Sequence, residues 1–119
     1  MLLCLDIGNS QIHGGVFDGG LRLQFRKTTL PLGSSDEFGV FFTAVLRENG
    51  FDPSAVRRVA ICSVVPSALY PIRSACLKYF RCEPFVLQAG VKTGLKVKYR
   101  NPHEVGADRI AGALSLIHI

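Results

Sequence analysis

The stretch that decides the fold is "LLCLDIGNSQIHGGVF", which runs from Leu2 to Phe17. Its first six residues are mostly apolar and predict a strand covered on both faces. A second strand is predicted from Gln11 to Phe17, after a short turn that contains Gly8. Asp6 stands near the end of the first strand, and a buried carboxylate costs free energy unless something compensates its charge. The stretch therefore needs either a structural or a chemical explanation.

Two explanations of Asp6 follow from the residues around it. In the structural one, Asp6 caps the turn and accepts hydrogen bonds from the backbone of Gly8 or Asn9. In the chemical one, Gly8 admits a phosphate close to the backbone, Asn9 and Ser10 present donors, and Asp6 holds Mg²⁺. A strand follows this turn, whereas a helix follows the phosphate loops of Walker A and Rossmann proteins. The local residues leave both explanations open.

The composition is that of a globular protein of one domain. The chain has 119 residues, of which 48% are hydrophobic and 19% charged, and such a balance is typical of folded chains. The apolar runs are far shorter than the ~20 residues of a membrane span, and the apolar start lacks the basic region of a secretory signal. We therefore expect a cytoplasmic protein. The net charge of +5 suits an anionic partner, although many basic surfaces have no partner.

The four cysteines predict reduced thiols rather than a metal site. They are Cys4, Cys62, Cys76 and Cys82, and no two of them form a C-x-x-C pair. Three of them lie in apolar strand-like or helical segments, where a reduced cysteine behaves as a small apolar side chain.

Alternation and capping signals predict the next elements. "DGG" at 18–20 predicts a tight turn, and the alternation from Leu21 to Arg26 predicts a half-buried strand. Ser34 and Glu37 have the spacing of a capping box, so a helix is predicted to begin there and to end at Gly50. The predicted buried face of this helix consists of Phe38, Phe41, Phe42, Val45 and Leu46.

The remaining pattern predicts a sheet covered by helices. A strand over 58–65 is followed by a helix to about residue 80, with Ile72, Cys76 and Phe80 on one face. Pro71 fits this helix best if its regular part starts there, because proline is tolerated at the first helical position. A short strand over 84–88, an extended segment over 94–99 and a helix from about His103 complete the chain. The order β-β-β-α-β-α-β with a trailing helix predicts an α/β fold.

A second pair of polar residues lies near the end of the chain. "GADRIAGA" places Asp108 and Arg109 at the beginning of the last predicted helix. An acid there can simply complement the helix dipole, with an exposed arginine beside it. The same two residues also suit phosphoryl transfer, in which a carboxylate accepts a hydroxyl proton and a cation fixes an anionic acceptor.

Three motifs together resemble the type III pantothenate kinase family. They are "DIGNS" at 6–10, "SVVP" at 63–66 and "TGLKVKYRNPHEVGADRIAGA" at 93–113, and the resemblance covers nearly the whole chain. It implies a ribonuclease-H-like domain of the actin, Hsp70 and sugar-kinase ATPase type, as the N-terminal half of a two-domain fold. It also implies ATP-dependent phosphorylation of pantothenate to 4′-phosphopantothenate, the first step of coenzyme A synthesis.

The resemblance also implies site residues, cofactors and partners. Asp108 matches the proton acceptor, Asp6 would hold Mg²⁺ or another divalent ion through the phosphates, and K⁺ or NH₄⁺ would bind in the second half. The family acts on ATP and pantothenate as a cytoplasmic homodimer, and neither a membrane nor a nucleic acid is the expected partner. The first ATP-phosphate loop would be Asp6, Ile7, Gly8, Asn9, Ser10, Gln11, Ile12 and His13. The pantothenate site would contain Tyr99, Gly106, Ala107, Asp108 and Arg109.

The sequence departs from the family pattern at two places. Ser10 replaces the usual threonine but keeps its hydroxyl. The chain ends where the family has a second half of similar size, and the ending "LSLIHI" differs from the helix expected there. We therefore expect a domain over residues 1–113, an atypical tail over 114–119 and a missing second domain. Alone, such a fragment is expected to be inactive.

Two alternatives remain at this stage, and both are non-catalytic modules of the same fold. Lys92, Lys96, Lys98 and Arg100 could form a basic face for a nucleic acid, although only Tyr99 is available there for base stacking. A regulatory protein that has lost kinase activity would carry the same motifs.

Overall fold

The computed structural model describes residues 1–88. The strands are β1 (Leu2–Ile7), β2 (Gln11–Phe17), β3 (Leu21–Thr28), β4 (Arg58–Ser63) and β5 (Phe85–Gln88). The helices are α1 (Ser35–Glu48) and α2 (Pro66–Ala75), with a 3₁₀ turn at Pro53–Ala55 and a wider π-helical turn at Cys76–Phe80. The extended segment predicted over 94–99, the helix from His103 and the tail over 114–119 lie outside the described residues.

The five strands form one mixed sheet in the order β3-β2-β1-β4-β5. β1 lies at its centre, antiparallel to β2 and parallel to β4, and β5 is parallel to β4. All six residues of β1 are buried, as its apolar sequence predicts for a strand covered on both faces. The parallel connection from β1 to β4 passes through α1, and the α/β class expected from the element order is confirmed.

The main core lies between the sheet and the two helices. Leu3, Leu5 and Ile7 alternate along β1 onto the face that meets the helices, and all three are at most 1% exposed. The predicted stripe on α1 is confirmed, since Phe38 and Phe42 stack with ring centroids 6.1 Å apart inside this core. The capping box is also present and fixes the start of α1.

A polar contact and a glycine bring α1 close to the end of the second helical segment. Asp36 accepts hydrogen bonds from the Lys78 ammonium at 2.7 Å and from the Tyr79 hydroxyl at 2.8 Å. These two bonds lower the pKa of Asp36 below its usual value. A side chain at Gly39 would collide with the Tyr79 ring, so the two segments can approach only because residue 39 is glycine.

The structure corrects the predicted start of α2. The regular helix begins at Pro66, which occupies the first helical position, and Pro71 lies inside the helix. Pro71 lacks the N–H group that would bond to the carbonyl of Ser67, and Ser67 is exposed, so water can satisfy that carbonyl. The predicted buried face of Ile72, Cys76 and Phe80 is nevertheless confirmed.

The strand predicted over 58–65 is shorter than expected. It ends at Ser63, because the Ser63 hydroxyl accepts a hydrogen bond from the Val65 amide at 3.0 Å and turns the chain out of the sheet. The strand predicted from Leu21 to Arg26 is instead longer and reaches Thr28. The "DGG" turn is confirmed, with positive φ values at Gly19 and Gly20.

We expect Gly14→Ala to destabilise the chain by about 1–3 kcal/mol, a typical cost of overpacking. A methyl group at Gly14 would collide with the Phe25 ring, which is itself held by Phe41 and Phe42 at centroid distances of 6.0 and 6.2 Å. Denaturant unfolding of the chain measures this cost. In the Phe25→Leu background, which lacks the aromatic ring, Gly14→Ala should destabilise the chain less than it does in the parent. Equal destabilisation by Gly14→Ala in both backgrounds would contradict the collision.

Candidate functional site

The turn between β1 and β2 is fixed by Thr29, which follows β3. The Thr29 hydroxyl donates to the carbonyl of Gly8 at 2.8 Å, and the Thr29 amide donates to the carbonyl of Ser10 at 3.0 Å. Within the turn, the Gly8 amide donates to the carbonyl of Gln11 at 2.9 Å. Thr29 is completely buried, so its two donor groups are shielded from water. The three bonds fix the backbone of the turn.

Sequence reasoning did not identify Thr29 as part of the site. The signal that could have revealed it is the "TT" pair at the end of the alternating strand. Because β3 pairs with β2 as far as Thr28, the next residue has to lie beside the turn where β2 begins. The position of Thr29 beside the turn therefore follows from the pairing register of β2 and β3 and not from its residue type.

Two of the sequence motifs meet at the carboxyl edge of the sheet. β1 and β4 are parallel, and the residues that end them, Ile7 and Ser63, are partners in the sheet. The Val64 amide donates to the carbonyl of Ile7 at 3.1 Å, so the chain after β4 is bonded to the chain just before Gly8. Ligand sites of open α/β sheets lie at the carboxyl ends of strands. "DIGNS" and "SVVP" thus share one edge.

Five of the eight predicted phosphate-loop residues fall into an exposed group and a buried group. The first group is exposed and comprises Asn9, Ser10 and Gln11, which a ligand can reach. Ile7 and Ile12 have completely buried side chains in the main core, so they can contribute only backbone atoms and support to a ligand site. The turn therefore offers a small polar surface on an apolar base.

Asp6 and His13 lie on the sheet face opposite the helices. They are partners across β1 and β2, and Cys62 is the partner of Asp6 on β4. Asp6 is 5% exposed, whereas His13 is half-buried, and its Nε2 atom lies 3.1 Å from the Gln24 side-chain oxygen. The Asp6 carboxylate is thus buried beside the turn, and this burial is the starting point of the explanation in which Asp6 holds Mg²⁺.

The backbone of the turn suits an anion. In residues 1–88, no backbone carbonyl accepts a hydrogen bond from the amides of Asn9 or Ser10, and both residues are exposed. A Cβ atom at Gly8 would lie 3.1 Å from the carbonyl oxygen of Gln11, so a larger residue would require that carbonyl to shift by a few tenths of an ångström. Exposed amides on a tight turn are the donors that phosphate sites use.

The donors near the turn are compatible with a divalent ion bound together with a phosphate. Within the described part of the chain, no group of three or more His, Cys, Asp or Glu side chains could hold a metal by itself. Mg²⁺ is usually held by one or two carboxylates together with water and substrate phosphates. A single buried carboxylate, that of Asp6, fits such an ion.

The predicted pantothenate-site residues lie outside the described residues. They are Tyr99, Gly106, Ala107, Asp108 and Arg109, and the basic residues from Lys92 to Arg100 lie there too. Their roles stay predictions. In the part of the chain that the structure describes, no helix has both the length and the apolar character to cross a membrane.

The fold is that of the actin, Hsp70 and sugar-kinase ATPases. The chain superposes on the crystal structure of a ROK hexokinase from Thermus thermophilus with a TM-score of 0.57. The two sequences are 19% identical, and the match covers 88% of this chain and 37% of the hexokinase. The fold class expected from the sequence is confirmed.

The chain belongs to the type III pantothenate kinase family, whose sequence profile matches residues 2–119. It is 60% identical over 119 residues to the type III pantothenate kinase of Legionella pneumophila strain Corby. It is 48% identical over 120 residues to that of Elusimicrobium minutum and 42% identical to that of Geobacillus thermodenitrificans. The matches cover 99–100% of this chain and 46% of each relative, so the chain spans about half their length.

Thr29→Val should destabilise the chain by about 1–3 kcal/mol, because the carbonyl of Gly8 would lose its donor. Thr29→Ser keeps the hydroxyl and serves as the matched control. Denaturant unfolding measures the loss, and amide hydrogen exchange at residues 8–10 shows whether the turn loosens locally. If Val and Ser at position 29 gave the same stability and the same exchange, the hydroxyl would have no anchoring role.

Cys4 and Cys76 should resist alkylation at pH 8. Burial raises the pKa of both thiols to about 12, with smaller contributions from Cys62 on Cys4 and from Cys82 and Glu83 on Cys76. Only roughly one thiol in 10⁴ is then the reactive thiolate at pH 8. Iodoacetamide labelling with peptide mapping should modify the half-buried Cys82 before Cys4 and Cys76, which should react only in denaturant. Labelling of Cys4 as fast as Cys82 would contradict this order.

Proposed function

We propose that a protein of full family length carrying this sequence transfers the γ-phosphoryl group of ATP to the primary hydroxyl of pantothenate. The product, 4′-phosphopantothenate, is the first intermediate of coenzyme A synthesis. The observation that carries this proposal is the 60% identity to the Legionella enzyme over essentially the entire chain. The exposed turn at the carboxyl edge of β1 and β4 supports it, because this is where phosphate sites lie in α/β folds.

The phosphate end of ATP would bind at the turn from Gly8 to Ser10. The exposed amides of Asn9 and Ser10 and the Ser10 hydroxyl would donate to phosphate oxygens. Asp6 would hold a divalent ion, Mg²⁺ in the simplest case, and the bound ion would neutralise phosphate charge. Thr29 and the buried side chains of Ile7 and Ile12 would keep the turn in shape without touching the nucleotide.

The acceptor end of the reaction would lie in the segment from Tyr99 to Arg109. Asp108 would accept the proton of the pantothenate hydroxyl as the phosphoryl group arrives, and Arg109 would pair with the substrate carboxylate. Tyr99, Gly106 and Ala107 would line the same pocket. The neighbouring arginine would favour the ionised form of Asp108, as a proton acceptor requires.

The remaining requirements belong to the whole protein. A monovalent ion, K⁺ or NH₄⁺, would bind in the second half of the family fold, and two copies would assemble as a homodimer in the cytoplasm. Residues 1–113 would form the first domain.

The decisive experiment is steady-state kinetics of variants in a protein of full family length that carries this sequence. Asp108→Asn should lower kcat by roughly 10²–10⁴, the usual value of general-base assistance, and leave the KM for ATP nearly unchanged. Arg109→Ala should mainly raise the KM for pantothenate. Asp6→Asn should weaken the use of Mg²⁺ and ATP more than the binding of pantothenate.

Asp18→Asn is the matched control, because Asp18 is an exposed residue of the β2–β3 turn, away from the carboxyl edge. It removes one carboxylate, as the other two aspartate variants do, and should leave all constants unchanged. An Asp108→Asn protein with near-parental kcat would remove the catalytic assignment. An Asp6→Asn protein with unchanged metal and ATP dependence would make Asp6 a turn cap.

A further inference from the structure

A cleft lies at the opposite end of the β1 and β4 strands from the Gly8 turn. Its volume is about 710 Å³, and its walls come from the second half of α1, the 3₁₀ turn and the chain from Tyr79 to Cys82. Arg57 lines it just before β4, and its amide donates to the carbonyl of Met1 at 3.0 Å. Gly8 follows the other end of β1, and a six-residue strand separates the two ends by roughly 20 Å. The cleft is therefore remote from the proposed phosphate loop.

Three arginines give this cleft its charge. Arg47 comes from α1, Arg57 from the start of β4 and Arg81 from the end of the π-helical turn, and all three are exposed. Within residues 1–88, the ion pairs are Arg73–Glu83 and Lys78–Asp36, and none of the three cleft arginines takes part in one. Their charge is thus available to a ligand.

One carboxylate also lines the cleft. Asp52 accepts hydrogen bonds from the Ser54 amide at 2.9 Å and from the Ser54 hydroxyl at 2.8 Å, which caps the 3₁₀ turn. These bonds lower the pKa of Asp52, so it stays ionised and offsets one of the three positive charges. Two unbalanced guanidinium charges remain, which matches the charge of a phosphate dianion.

Most of the remaining lining is apolar or aromatic, and Thr43 and Ser54 are its polar members. Val40 is 56% exposed on α1, and the Tyr79 ring and Pro53 form part of the same wall. A volume of this size is in the range of small-molecule sites, which combine an apolar lining with a few fixed polar groups. The cleft therefore offers a surface for an apolar group next to its cationic groups.

We propose that this cleft binds a small molecule that carries a phosphoryl group on an aromatic or apolar body. One guanidinium group can bind two phosphate oxygens at once, and three guanidinium groups around one cleft can contact a phosphate dianion from several sides. The aromatic or apolar body would contact Val40 and the Tyr79 ring. This second site is independent of the proposed kinase activity, since it shares no residue with the Gly8 turn.

The test uses phenyl phosphate as the probe and the 119-residue chain as the protein. Calorimetric titration should show one site, and amide chemical shifts should change near Arg47, Arg57 and Arg81. Each of R47Q, R57Q and R81Q should weaken binding about tenfold, the usual loss when a charge-assisted bond is removed. Benzoate, which has the ring but one negative charge, should bind at least tenfold more weakly than phenyl phosphate.

R22Q is the matched control, because it removes one positive charge from β3, at a position that does not line the cleft. This variant should bind phenyl phosphate as tightly as the parent chain does. Inorganic phosphate should bind the parent chain more weakly than phenyl phosphate, because it has no ring. Bound probe should also slow iodoacetamide labelling of Cys82, which lines the cleft. Equal weakening by R22Q, shift changes centred on residues 8–10, or no saturable binding at millimolar probe would each overturn the proposal.

Discussion

The site depends on one buried threonine. Thr29 donates both its hydroxyl and its amide to the carbonyls of Gly8 and Ser10, so the end of β3 fixes the turn that joins β1 to β2. A turn with exposed amides would otherwise vary in shape, because its own sequence offers one internal backbone bond, from Gly8 to Gln11. Phosphate recognition needs donors that are in place before the ligand arrives. Thr29, which lies outside the turn, holds the backbone of the turn in place.

The mixed sheet explains why polar groups gather at one edge. β1 pairs with an antiparallel strand on one side and a parallel strand on the other, so its carboxyl end lies beside both the start of β2 and the end of β4. The turn after β1 and the segment after Ser63 are then bonded through the Val64 amide. Two short motifs that are separated by more than fifty residues in sequence thereby become neighbours.

Local patterns predicted most of the described fold, and contacts distant in sequence explain the differences. The bounds of β1 and β2, the capping box at Ser34 and the stripe on α1 follow from periodicity, and all are confirmed. Pro71 was misjudged because a proline inside a helix is tolerated where the unpaired carbonyl faces water, which the sequence does not show. Thr29 was missed because its role depends on strand register. The sequence also gave no sign that Arg47, Arg57 and Arg81, spread over three elements, would line one cleft.

The parallel pairing of β1 with β4 has a consequence for the order of folding. The β1-β2-β3 meander is made of neighbours in sequence and can form as soon as its residues leave the ribosome. Leu2, in contrast, pairs with Arg58, so the side of β1 that pairs with β4 has no partner strand until α1 and the 3₁₀ turn have been made. Closing that long loop costs chain entropy before any contact between β1 and β4 is gained. Folding that proceeds from the N-terminus would therefore form the β1-β2-β3 meander first, and the turn from Gly8 to Ser10 would be shaped before its β4 neighbour exists.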